Sequence, residues 1–305
     1  MTTSADKRMG WVPPENRSRA VHLRVDVAIS GMSPFYIVGA KGADDSEGKR
    51  VVLWDAARKV LGKDVPCFEQ EIGDCVSMGA CNALNYLQCV EILRGDQEEF
   101  QPAYQPFSYG ISRVQVGGGR LSGDGSIGAW AAEGHRRFGC LFTTDDGCPP
   151  YSGSVARQWG KRPGPPQKFL GLAVDNLLHS TALMSGYTTA RQAICNGFPV
   201  TVASDQGFLM RPVVDKGKHW GKASGSWAHQ MCFIGVDDDS RRPGCYCMNS
   251  WGPNAHGKPA DDAPAGGFWV DAEVVDRMIR QQDSFAYSQF DGFPKAGLDF
   301  TLISR

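Results

Sequence analysis

The 305-residue chain has no long hydrophobic run and no run of basic residues. A helix that crosses a bilayer needs about 20 mostly apolar residues in succession, and no stretch approaches that length. The first residues also lack the continuous apolar core of a secretory signal peptide. We therefore expect neither a membrane span nor a signal peptide.

Charge of one sign is also missing, because 32 lysine and arginine residues stand against 33 acidic residues. Nucleic-acid binding requires a basic face, which this sequence does not concentrate anywhere. Hydrophobic residues make up 42% and charged residues 21%, which is typical of a folded globular protein. At about 150 residues per domain, the length fits two domains or one enzyme built from two half-domains.

Clustered metal ligands are absent as well. The sequence holds ten cysteines, but a zinc site usually needs Cys-x-x-Cys or His-Cys groups. The closest pair is Cys245 and Cys247, which share one face if they lie on a strand. We therefore expect no metal, and without a signal peptide we expect reduced and mostly buried thiols.

The pattern of apolar residues divides the chain into three parts and predicts an α+β fold. Residues 1–50 form an N-terminal arm with a candidate strand at Val21–Ile29, residues 51–186 are rich in helix, and residues 187–305 are rich in strand. Apolar spacing predicts helices at Val51–Leu61, Cys75–Leu93, Ile127–Phe138, Thr188–Asn196 and Glu273–Arg280. Strands are expected at Pro199–Ser204, Met231–Val236, Cys245–Met248 and Gly267–Val270, and Cys148–Pro166 is expected to be irregular.

Cys75 stands at the first turn of the long predicted helix. Unpaired backbone N–H groups and the helix dipole favour negative charge at that position. The thiolate is the reactive form of cysteine, so this placement is expected to lower the pKa of Cys75. Taken alone, a cysteine at a helix end more often has no catalytic role.

Two further residues change that interpretation. His229 leads into the predicted strand Met231–Val236, where its ring direction is held by the strand. Asn249 follows the predicted strand Cys245–Met248 and can orient an imidazole through its side-chain oxygen. Trp251, two residues later, can shield such a hydrogen bond from water.

Together these residues resemble the papain family of cysteine peptidases, which orders its triad as Cys, His and Asn. In that family His and Asn follow the cysteine by about 130–150 residues, and here they follow it by 154 and 174. Further segments that resemble the family are Gly125–Gly139, Thr189–Val202, Asn249–Gly252 and Gly266–Val270. The resemblance implies a papain-like fold, with a helical half packed against a barrel-like strand-rich half and a catalytic cleft between them.

The resemblance also implies roles for individual residues. It makes Cys75 the nucleophile, His229 the base and Asn249 the residue that orients the imidazole, with a polypeptide substrate and no cofactor. The family's oxyanion glutamine lies six residues before the cysteine. That position is Glu69 here, whereas Gln70 lies one residue nearer, so we expect Gln70 to serve and keep Glu69 as the alternative.

Substrate contacts follow from the same resemblance. Gly125 and Ser126 are expected to pair with an extended substrate as a strand would, and Trp251 is expected to contact it.

The chain also departs from the family. Ile72 stands where the family has a cysteine, and Val76 where it has an aromatic residue. Fewer than 75 residues precede Cys75, so we expect the long inhibitory propeptide of secreted members to be absent. The chain is closer to papain-like proteins of bacteria and their phages, and it is expected to be cytoplasmic or virion-associated.

Two other functions stay open. One is a non-enzymatic structural protein, such as a virion component that assembles with other structural proteins. The other is a related Cys-dependent amidase or transglutaminase-like acyl transferase. Those enzymes usually pair Cys and His with Asp or a second His, so Asn249 counts against them.

Overall fold

A computed structural model describes residues 9–34, 46–95, 99–238 and 241–290 of the chain. Its helices are α1 (Arg19–Ser30), α2 (Trp54–Leu61), α3 (Cys75–Leu93), α4 (Gln105–Gly110), α5 (Gly128–Phe138), α6 (Gly153–Trp159), α7 (Gln167–Ala173), α8 (Tyr187–Cys195) and α9 (Ala272–Ile279). A short 3-10 turn at Pro14–Asn16 precedes α1, and a π-helical segment at Ile111–Val116 continues α4.

The strands form one twisted sheet that lies mostly in the C-terminal part of the chain. They are β1 (Ser33–Pro34), β2 (Arg50–Val52), β3 (Leu178–Leu183), β4 (Val200–Phe208), β5 (Val213–Asp215), β6 (Lys218–Trp220), β7 (Ala223–Asp237), β8 (Gly244–Met248), β9 (Gly267–Asp271) and β10 (Phe285–Phe290). Their order is β1-β3-β10-β4-β7-β8-β9-β6-β5, and β2 pairs with the end of β7. The predicted α+β organisation is thus confirmed.

Helix α3 is the central helix of the fold and runs against β7. Every residue from Cys75 to Val90 is buried, as the helix carries mostly small and apolar side chains on all faces rather than on one stripe, with Asn82, Asn85 and Gln88 as buried polar exceptions. The structure confirms the predicted bounds Cys75–Leu93. Cys75 therefore lies at the first helical position, at the N-terminus of α3.

Strand β7 is the longest strand and brings the remaining candidate residues to that same end. It pairs antiparallel with β8 through the register Cys232–Met248. Asn249 follows the last residue of β8, so the antiparallel register carries it toward His229 on β7. This placement depends on the strand pairing and not on proximity in sequence.

The N-terminal arm differs from the expectation. Val21–Ile29 is helical and not a strand, because it belongs to α1. Ser18 caps this helix by accepting a hydrogen bond from the Val21 amide at 3.4 Å. Val21 and Val25 point into the core four residues apart, a helical spacing that outweighs the strand preference of valine.

Two smaller predictions also need correction. Cys148–Pro166 is not irregular throughout, because it contains α6, which Ser152 caps from the preceding position. In Val51–Leu61 the first two residues belong to β2, and α2 begins only at Trp54. In the part of the chain that the structure describes, no helix is long and apolar enough to cross a membrane.

Candidate active site

The structure brings Cys75 and His229 to one place, where the start of α3 meets β7. The Cys75 sulfur accepts a hydrogen bond from the backbone N–H of Gln230, at 3.4 Å, and Gln230 directly follows His229. Both candidate side chains are buried, Cys75 with no exposed surface and His229 with 1%. The candidate nucleophile at the start of α3 and the candidate base on β7 are thus brought close together by this backbone contact.

Asn249 meets the other side of the imidazole. Its side-chain Oδ1 lies 2.8 Å from His229 Nε2 and also accepts the Ser250 backbone N–H at 2.7 Å. The Trp251 ring lies against the imidazole, with centroids 4.8 Å apart and planes tilted by 39°. The hydrogen bond between His229 and Asn249 is therefore covered by an aromatic side chain, which excludes water from it.

Position 70, and not position 69, faces this cluster. Gln70 is buried, its Oε1 accepts the Ser250 hydroxyl at 2.8 Å, and its Nε2 donates to the Ile72 carbonyl at 2.8 Å. Glu69 is exposed and pairs through its backbone with Trp251. A carboxylate is thus kept at the surface, while the Gln70 amide is hydrogen-bonded to Ser250, the residue that follows Asn249.

Gly125 and Ser126 line the cleft in different ways. The backbone of Gly125 is used inside the fold, where its N–H bonds the Tyr109 hydroxyl at 2.9 Å and its carbonyl accepts from Arg113. Ser126, in contrast, has its backbone N–H and C=O directed to the cleft and paired there with another segment. Of the two residues, Ser126 has the geometry of a strand-like docking position.

The segment that occupies this position is the chain's own N-terminal arm. The Val12 N–H donates to the Ser126 carbonyl at 2.9 Å, and the Ser126 N–H donates to the Gly10 carbonyl at 2.7 Å, a parallel pairing. The N–H groups of Gly10 and Trp11 both reach the Ala228 carbonyl, at 3.1 and 3.0 Å. Residues 10–12 thus lie across the cleft between Ser126 and the strand that carries His229.

Side chains of the arm anchor it further. The Trp11 indole N–H donates to Asp283 Oδ2 at 2.7 Å, and the Arg17 guanidinium reaches the same oxygen at 3.0 Å. Asp283 also accepts the backbone N–H groups of Gly128 and Ala129 at the start of α5. Trp11 is 3% exposed, so it is as well buried as a core residue.

Covering of the cleft decides the protonation state of the candidate pair. Burial raises the pKa of Cys75 to about 12, although the N–H groups of Gln230, Gly10 and Val76 lower it. Burial likewise lowers the pKa of His229 to about 4, although its hydrogen bond to Asn249 raises it. In the closed cleft the pair is therefore a neutral thiol and a neutral imidazole. This is opposite to the direction expected from the helix N-terminus.

Sequence reasoning predicted an N-terminal arm but not its docking on Ser126 and Ala228, and it missed Asp283 and His256. His256 lies 2.9 Å from Asn249 through its Nε2 and 3.0 Å from the Met210 carbonyl through its Nδ1. Seven residues separate it from Asn249, a spacing that follows no regular secondary structure. Its position after the Asn249–Gly252 segment was the signal available in the sequence.

All ten cysteines are free thiols, seven of them buried. Within the described residues, no group of three or more His, Cys, Asp or Glu side chains is arranged to hold a metal ion.

Solved structures of papain-like cysteine proteases share the overall fold of this chain. Xylellain, a cysteine protease from Xylella fastidiosa, is similar with a TM-score of 0.63 at 15% identity, over 95% of this chain and 98% of that chain.

Two other solved structures show the same similarity. Procathepsin B S9 from Trypanosoma congolense is similar with a TM-score of 0.60 at 11% identity, over 97% of this chain and 90% of that one. Procathepsin L 3 of the Tenebrio molitor larval midgut is similar with a TM-score of 0.51 at 15% identity, over 88% and 79%. At these identities the similarity establishes the papain-like fold and nothing finer.

No protein-family model matches the sequence, and no curated protein matches it.

Proposed function

We propose that this protein is a cysteine peptidase of the papain-like type, held in a latent form by its own N-terminal arm. The observation that carries the proposal is the hydrogen bond from His229 Nε2 to Asn249 Oδ1, with the Cys75 sulfur hydrogen-bonded to the backbone N–H of Gln230, the residue after His229. Among the described residues, His229 Nδ1 has no hydrogen-bond partner although it is buried. A buried ring nitrogen without a partner is a base available to take the proton of a thiol.

The reaction follows from these positions. His229 Nδ1 takes the Cys75 proton, and the thiolate attacks the carbonyl carbon of a peptide bond. The imidazolium then protonates the departing amine, and water hydrolyses the acyl-enzyme with His229 as base. The start of α3 and the Gln70 amide supply N–H groups for the oxyanion, and one such donor is worth about 2.7–4 kcal/mol.

The arm explains why the closed form is latent. Residues 10–12 hydrogen-bond to Ser126 and to Ala228, the residue before His229, so they occupy the position proposed for the substrate, and the Cys75 side chain has no exposed surface. The closed cleft also favours the neutral thiol, which is the less reactive form. Displacement of residues 10–12 admits both substrate and solvent, and the two pKa values then return toward each other.

A single methyl group tests this proposal. A Cβ at position 10 would lie 1.9 Å from the Gly73 carbonyl oxygen, an impossible contact, so Gly10→Ala should keep the arm out of the cleft. We expect Gly10→Ala to hydrolyse fluorescein-labelled casein faster than the wild-type chain. Adding Cys75→Ser should abolish the gain, whereas adding Cys148→Ser, at a half-buried thiol away from the cleft, should not.

A second function is favoured by one observation, the complete burial of Cys75. A protein that uses this fold only as a scaffold has no need for an open cleft and gains stability from closing it. The same variants separate the two functions. If the Gly10→Ala variant exposes Cys75 to alkylation and still hydrolyses no protein or peptide, the structural function is the correct one.

The finer assignment, a peptidase of the bacterial or phage type, belongs to this proposal too. It is supported by the free thiols, all ten of which are unpaired in the structure.

A further inference from the structure

His256 is a buried polar residue that the reaction described above does not use. It is 1% exposed and packs between aromatic side chains, with its ring centroid 6.1 Å from that of Trp251 and 4.7 Å from that of Phe268. Both of its ring nitrogens are engaged, Nε2 with Asn249 Nδ2 at 2.9 Å and Nδ1 with the Met210 carbonyl at 3.0 Å. A residue that only filled space would not need two directed contacts.

The contact with Met210 determines the tautomer of His256. A backbone carbonyl oxygen can only accept, so His256 Nδ1 carries the proton and donates it. A neutral imidazole has one donor and one acceptor nitrogen, and burial lowers the pKa of His256 and so favours the neutral ring. His256 Nε2 is therefore an acceptor, and it receives an N–H from the Asn249 amide.

The hydrogen bond between Ser250 and Asn249 independently gives the same orientation of the Asn249 amide. The Ser250 backbone N–H can only donate, and it lies 2.7 Å from Asn249 Oδ1. The Asn249 amide thus has its oxygen toward Ser250 and His229 and its nitrogen toward His256. Because Oδ1 can only accept, the His229 proton is on Nε2 and Nδ1 is left bare for the thiol.

We propose that His256 is a positioning residue, which holds the Asn249 side-chain amide in the orientation that leaves His229 Nδ1 free to accept the Cys75 proton. The Met210 carbonyl and the Ser250 backbone N–H determine which atoms of His256 and Asn249 donate and which accept. The catalytic consequence rests on the proposed peptidase function. The orientation of Asn249 does not rest on it and can be measured by itself.

Two substitutions of His256 separate hydrogen bonding from packing. His256→Phe keeps an aromatic ring against Phe268 and Trp251 but offers Asn249 no acceptor, so the Ser250 N–H alone is left to oppose rotation of the amide. His256→Gln gives up the ring but can present an amide oxygen to Asn249 Nδ2. Asn254→Ala, at an exposed neighbour on the same segment, is the matched control.

The first experiment reads the histidine protons directly, by long-range ¹⁵N–¹H correlation spectra of the full chain labelled on histidine. In the wild-type protein we expect the Nδ1–H tautomer for His256 and the Nε2–H tautomer for His229. In His256→Phe the His229 signals should shift toward a mixture of tautomers, and in His256→Gln and Asn254→Ala they should stay as in the wild type. An Nε2–H tautomer for wild-type His256 would overturn the proposal without any variant.

The second experiment measures peptide hydrolysis in the Gly10→Ala chain, where the cleft is open. His256→Phe should lower kcat by roughly tenfold or more with little change in KM, because an interaction that orients the base acts on the chemical step. His256→Gln should recover most of this loss. Thermal unfolding checks that both proteins are folded. Equal kcat values for His256→Phe and the parent chain would then refute the positioning role.

The two experiments also separate the inference from the function on which it rests. If no variant hydrolyses peptide but the His229 tautomer follows the acceptor at position 256, the peptidase proposal fails and the positioning role stands. If peptide is hydrolysed and the His229 tautomer is indifferent to His256→Phe, the peptidase proposal stands and the positioning role fails.

Discussion

Truncation of Trp11 should make Cys75 accessible. The indole is 3% exposed and donates its N–H to Asp283 at 2.7 Å, and it anchors the segment that covers the Cys75 sulfur. Trp11→Ala removes this side chain and leaves the backbone pairing of the arm with Ser126 in place. The perturbation is therefore directed at the stability of the closed arm.

The magnitude follows from the burial. Truncation of a buried tryptophan to alanine costs about 3–5 kcal/mol, and each 1.4 kcal/mol is a factor of ten in an equilibrium constant. If this loss falls on docking of the arm, the open fraction rises by a factor of about a hundred or more. Alkylation of Cys75 passes through the open form, so its rate should rise by the same factor.

The assay is alkylation with iodoacetamide near pH 6, followed by mass mapping of each cysteine with time. Cys148 and Cys195 are half-buried thiols outside the cleft and serve as internal references. In the wild-type chain Cys75 should react more slowly than both, and in Trp11→Ala it should react faster than both. Glu15→Ala, at an exposed residue of the same arm, should behave as the wild type.

Two results would refute this reasoning. If Cys75 is already the fastest thiol in the wild-type chain, the arm does not cover it in solution. If Trp11→Ala leaves the order of the thiols unchanged while the protein stays folded, the arm is held by contacts other than those of the indole.

Three further predictions concern Arg17, Gln70 and His135. Arg17→Ala removes a 3.0 Å ion pair with Asp283. It should raise the rate of Cys75 alkylation by roughly tenfold, less than Trp11→Ala does, since breaking a partly buried charged hydrogen bond costs about 1.5–3 kcal/mol. An unchanged rate would show that Arg17 does not help to hold the arm closed. In the Gly10→Ala chain, Gln70→Ala should leave Cys75 alkylation nearly unchanged but lower kcat by about a hundredfold, because an oxyanion donor acts only in the transition state. Equal losses of alkylation rate and kcat would indicate a distorted cleft instead. Burial lowers the pKa of His135 to about 4 against about 6.5 unfolded, so the folded state binds fewer protons, and roughly 3 kcal/mol of stability present above pH 6.5 is lost as the pH falls to 4. The free energy of unfolding, measured in urea at pH 7.5 and 4.5, should therefore depend less on pH in His135→Gln than in the wild type, and an equal dependence would contradict the assignment.

The sequence by itself determined the elements whose signals are local. Helix α3 was predictable to its ends because apolar and small residues continue from Cys75 to the residues before Gly95, where a helix can terminate. The order of Cys75, His229 and Asn249 along the chain could likewise be recognised in the sequence. It predicted the papain-like fold that the structure has. The strands β7, β8 and β9 carry β-branched and aromatic residues between turn residues, a pattern that also needs no partner to be recognised.

Only the tertiary structure decided what occupies the cleft and what holds Asn249. Residues 10–12 carry no motif, and they lie on Ser126 and Ala228 because backbone hydrogen bonds pair any sequence that the fold brings alongside. His256 acquires its contacts with Asn249 and Met210 through loop geometry rather than through any repeat of the sequence. The pKa of Cys75 could not be predicted from the sequence either, because it also depends on the tertiary structure. A helix N-terminus is a local feature that lowers it, whereas burial under a distant segment is a property of the whole fold and here outweighs the local effect.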